Sequence, residues 1–131
     1  MKENTLVDCR NRLLNRISAA HNEIVRVKID LENNLRYINE TQASLNKYKT
    51  ILHGFLLAYR LPMEFDITEK TIKTARKIIE NKKRTLCYLF LKQKYLKLKR
   101  KEAQRRESKA LYHLQKFDVR MEMKESENGK K

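Results

Sequence analysis

The sequence predicts an all-α protein, a long antiparallel two-helix coiled-coil hairpin. Three observations carry this. Apolar residues recur in alternating steps of four and three through both halves of the 131-residue chain, a period held far longer than an ordinary amphipathic helix needs. Pro62, the only proline, falls near the midpoint. Glycine occurs only at Gly54 and Gly129, too few for the turns of an all-β or doubly wound α/β fold. The chain is 40% hydrophobic and 36% charged, and its periodicity separates it from simple disorder.

The first helix is expected over residues 1–60. From Leu6 the stripe runs through Leu13, Ile17, Ala20, Ile24 and Val27 to Phe55 and Tyr59, and only Arg10, Asn34 and Thr41 break it. Thr5, with Asp8 three residues on, is a candidate N-terminal cap. Asn34 has two readings. Either it fixes the register of the paired helices from a core position, or it sits at a solvated edge while Leu35 takes its place.

The turn is expected over residues 61–67. Pro62 lacks an N–H and restricts Leu61, so a helix ends or kinks there. Asp66 or Thr68 then caps a second helix. Seven residues with a proline and two cap candidates favour a hairpin over one kinked helix. The surroundings are unusually apolar for a turn: Phe55, Leu56, Leu57, Tyr59, Leu61, Met63 and Phe65. These side chains either close the end of the coiled coil or form a docking tip; we read them as a tip.

The second helix is expected over residues 68–123. Its stripe starts at Ile72, Ala75 and Ile79 and ends at Leu114, Phe117 and Met121, with Lys82, Gln93, Arg100 and Glu107 interrupting it. Residues 124–131 read as a frayed tail. A second apolar row, Tyr88, Leu91, Tyr95 and Leu98, follows helical spacing off the main seam. A two-helix hairpin buries one seam, so either a partner meets this row or a third helix, a dimer mate or a bent first arm covers it.

The formal net charge is +15, and it is concentrated in the second half. Residues 70–116 carry 17 Lys and Arg against Glu80, Glu102 and Glu107. A merely soluble helix mixes signs, so this excess points to a partner with negative potential. No catalytic constellation is visible, and the expectation is a non-enzyme without cofactor or metal. His21, His53 and His113 have no His or Cys four residues on, as helical metal spacing requires, and no Gly-rich phosphate loop is present. The longest strongly apolar run, Leu86–Leu91, is far short of the about 20 residues of a membrane-spanning helix. With no signal-peptide pattern, the expected setting is cytoplasmic, with Cys9 and Cys87 reduced.

The Leu6–Tyr59 arm, the break at Leu61-Pro62-Met63-Glu64-Phe65-Asp66 and the charged Ile72–Met121 arm resemble the FliJ/YscO-type stalk proteins of bacterial type III secretion systems and flagella. The resemblance is one of architecture and composition over nearly the whole chain, without a diagnostic motif. It implies a non-enzymatic coiled-coil stalk, cytoplasmic and peripheral to the inner-membrane export apparatus. Such a stalk links a hexameric secretion ATPase to an export-gate protein, stimulates export and can escort export chaperones. It places Arg10, Arg12, Arg16, Lys109, Lys116 and Arg120 against an acidic ATPase pore. It places Leu61, Met63, Phe65, Ile72 and Ile79 toward the gate.

Two alternatives stand beside it. Ala75-Arg76-Lys77 through Lys94-Tyr95 looks like the basic core hairpin of ESCRT-III proteins, which implies binding to anionic membrane, although that family's acidic C-terminal part is missing here. Basic clusters interleaved with Tyr88, Phe90 and Tyr95 also suit nucleic acid or a ribosome, without any RRM, KH or helix-turn-helix signature.

Overall fold

A computed structural model of the chain describes residues 2–60 and 69–129. Two α-helices, α1 (Lys2–Arg60) and α2 (Glu69–Gly129), pack against each other as a helical hairpin. Both are rich in Leu, Lys, Arg and Glu, which lose little side-chain freedom in a helix. Within them the hydroxyls of Thr50, Thr74 and Thr85 donate to the carbonyl oxygens of Asn46, Lys70 and Asn81, four residues earlier on the same helix. Arg60 in the last turn of α1 and Glu69 in the first turn of α2 suit the charges at those helix ends.

The helix bounds depart from expectation at two places. Thr5 lies inside α1, because Lys2, Glu3 and Asn4 contain nothing that stops a helix. At the other end α2 continues to Gly129, past the expected end at residue 123; Lys124, Glu125 and Glu127 favour helix there. The cap candidates Asp66 and Thr68 lie outside the described residues.

The packing divides into two units, each built from a piece of both helices. In the first, residues up to Asp30 meet residues from Leu96 onward. Its buried residues are mostly small: Ala20, Val27, Leu96, Ala103 and Ala110. Ala103 has no exposed surface at all, so the opposing helix covers its methyl group completely. Arg10 pairs with Asp118 at 3.1 Å, His21 with Glu107 at 3.2 Å, and Glu23 with Arg106 at 2.9 Å. Partner numbers fall in α2 as they rise in α1, so the helices here are antiparallel.

The second unit spans residues 31–95 and buries larger side chains. Ile38, Leu45, Ile79, Leu86 and Leu89 form its core cluster, with Tyr48 and Leu52 packed on it. Asn34 is buried in the same seam, 1% exposed, while Leu35 is 49% exposed. This decides between the two readings of Asn34: it holds the core position. Its Nδ2 donates to the Leu89 carbonyl oxygen at 2.9 Å and to Gln93 Oε1 at 2.8 Å.

The polar interruptions of the stripes are therefore mostly answered across the seam. Gln93 accepts from Asn34, Glu107 meets His21, Arg10 meets Asp118, and the Lys82 ammonium lies 5.2 Å from the centre of the Tyr48 ring. Arg100 is the exception, being exposed, as is Tyr59 at the end of the first stripe.

Candidate interaction surfaces

The six basic residues assigned by resemblance to an ATPase pore all lie in the first unit. They do not form one set. The Arg10 guanidinium is committed to Asp118. Lys116 lies 4.8 Å from the centre of the Tyr112 ring one turn before it, and borders a shallow depression with Tyr112, Val119 and Arg120. Arg12 is exposed on α1.

Arg16 and Lys109 are brought together. They line one open depression, Arg16 from α1 and Lys109 from α2, over a floor that includes Ala19, Ala20 and Ala110. The small side chains create the concavity: Ala20 and Ala110 fill less space than a leucine or isoleucine would, and the flanking charged residues stand above them. Glu23, Arg106 and His113 complete the rim. Arg106 is held by Glu23, whereas Arg16 and Lys109 have no ion-pair partner among the described residues. An acidic group entering the depression would therefore meet two uncommitted cations. Sequence reasoning weighs His113 only as a metal ligand and assigns neither it nor Arg106 to this set. Their spacing to Lys109, three residues before and four after, was a readable signal for one helix face.

The expected tip resolves less simply. Leu61, Met63 and Phe65 lie outside the described residues. Ile72 and Ile79 are buried at 6% and 7% exposure in the seam, so they pack α2 in place instead of presenting open surface. Beside them, Leu57 and Tyr59 are exposed while Phe55 and Leu56 are half-buried. Phe55 and Ile51 line a groove with Thr74 and Ile78 that sequence reasoning did not single out.

The second apolar row is open. Tyr88, Leu91 and Tyr95 in the second unit are 63%, 66% and 61% exposed, and Leu98 in the first unit is also exposed. Neither a bent first arm nor a third helix covers it among the described residues. Cys9 and Cys87 are both free and exposed. Among the described residues no cluster of three His, Cys, Asp or Glu side chains is arranged to hold a metal ion, and no helix is long and apolar enough to cross a membrane. Comparison with known proteins finds no matching family model, no matching curated protein and no matching solved structure.

Proposed function

We propose that this chain is a non-enzymatic helical-hairpin stalk of a bacterial type III secretion system, one that engages a hexameric secretion ATPase and an export-gate protein and stimulates export. The observation that carries the reading is the convergence of Arg16 and Lys109, from opposite ends of the sequence, on one alanine-floored depression with uncommitted positive charge. A shaft gripped by an acidic ring needs this: cations contributed by both helices and borne on a seam that holds them in fixed register. Arg12 adds exposed charge to the same unit. Gate contact is assigned to Leu61, Met63 and Phe65, with Ile72 and Ile79 in a supporting, packed role.

The test is ATP turnover by a purified hexameric secretion ATPase titrated with the full chain in lipid-free solution. The wild-type chain is expected to raise turnover. Arg12→Glu with Arg16→Glu is expected to abolish most of that increase while helicity by circular dichroism is unchanged, since both side chains are exposed. Met63→Ser with Phe65→Ser is expected to leave it intact. No stimulation by the wild-type chain, or full stimulation by the arginine variant, rejects the reading.

A further inference from the structure

The row Tyr88, Leu91 and Tyr95 follows the seam residues Leu86, Leu89 and Gln93, each by two positions. Two residues turn an α-helix by about 200°, so the row lies on the face of α2 turned away from α1. Its flanks are basic. Lys92 and Lys94 stand on either side of it, and Lys77 and Arg84 continue the same face toward the start of α2. Glu80 is the acidic residue of this stretch, and it pairs with Arg84 at 3.4 Å.

We propose that this outer face of α2 docks on the surface of an anionic lipid bilayer. Three features select that occupant. The positive flanks complement anionic headgroups, and each lysine close to such a surface adds binding. The centre combines tyrosine rings, which suit the headgroup level, with an aliphatic side chain that suits the acyl boundary beneath it, while the lysine stems reach outward. Nucleic acid would pair the lysines and stack the rings, but would leave Leu91, the most exposed of the three, without an apolar partner. The row stands exposed, and a fluid surface accommodates such a row without needing a matching groove. This proposal stands apart from the ATPase reading.

The chain contains no tryptophan, so a full-length Tyr95→Trp variant carries a single reporter at the row. It is titrated with vesicles of phosphatidylglycerol mixed with phosphatidylcholine, and with vesicles of phosphatidylcholine alone. A blue shift of the Trp emission is expected with the anionic vesicles only. In the same background, Lys92→Gln with Lys94→Gln should weaken binding about 30-fold. Leu91→Gln should weaken it at least about 10-fold. These side chains are solvent-exposed, so helicity by circular dichroism should hold in every variant. The proposal is overturned by no shift with anionic vesicles, by an equal shift with neutral ones, or by binding indifferent to Leu91→Gln. A shift with a short RNA duplex but none with vesicles would make the face a nucleic-acid surface. A shift that grows with protein concentration without vesicles would make it a contact between two copies. Either of these also overturns the proposal. ATP turnover in lipid-free solution is untouched by these outcomes, so the two readings fail separately.

Discussion

Asn34 donates to the Leu89 carbonyl oxygen and to Gln93 Oε1, yet its own Oδ1 is buried without a hydrogen-bond donor. An unsatisfied buried acceptor costs about 1–3 kcal/mol, and a polar core residue in a coiled coil fixes alignment at the expense of stability. Replacing Asn34 by Leu should therefore raise unfolding stability by about 1–2 kcal/mol, because half-buried Gln93 can turn to water. A urea titration measures it, and a lowered midpoint would show that the two donated bonds outweigh the orphaned oxygen. Gly54 sits inside α1 with an ordinary helical φ and open space where a Cβ would project. Gly54→Ala should add about 0.4–1 kcal/mol in the same titration; no change would mean the helix is frayed at that point. The sequence exposed Asn34 as an interruption but left Leu35 as its rival. Only the register between the helices decides which of two adjacent positions faces inward.

At the level of the helices, both stripes were legible because a strict seven-residue repeat admits one inward face. Every stripe position of α1 from Leu13 to Phe55 is at least half-buried, and Arg100 is the one exposed position in the stripe of α2. The bounds were less legible. Capping residues signal a start only where the chain cannot continue as helix, and Lys2–Asn4 can continue, which is why Thr5 misled. The two units differ in what their seams bury, three alanines with Val27 and Leu96 in the first and mostly leucine and isoleucine in the second. Leu86, in the core cluster of the second unit, should cost about 2–5 kcal/mol when truncated to Ala. Circular dichroism during chemical denaturation reads this directly. A loss under about 1 kcal/mol would mean the seam closes over the missing atoms and the cluster is not tightly packed.

For the whole molecule, charge dominates. A formal net charge of +15 on 131 residues remains after all 16 acidic side chains are counted against the 31 basic ones, so ion pairing leaves a large excess of like charge. Self-repulsion should therefore make the protein more stable as salt is added, over the range in which the Debye length shrinks from about 30 Å to about 8 Å. A thermal melt at low and physiological ionic strength tests this; a falling Tm would mean the ion pairs outweigh the repulsion. The excess charge was plain in the sequence, and so was the second apolar row of α2, whereas its exposure shows only once the helices are paired. What the sequence did not carry was the meeting of Arg16 with Lys109, which depends on the pairing of two segments some ninety residues apart. Whether that positive surface serves a secretion machine is best tested by purifying the tagged chain from its native cell, with and without nuclease, and identifying what comes with it. The account predicts a secretion ATPase or export-gate protein retained after nuclease treatment. Ribosomal proteins that disappear with nuclease, and no secretion component, would contradict it.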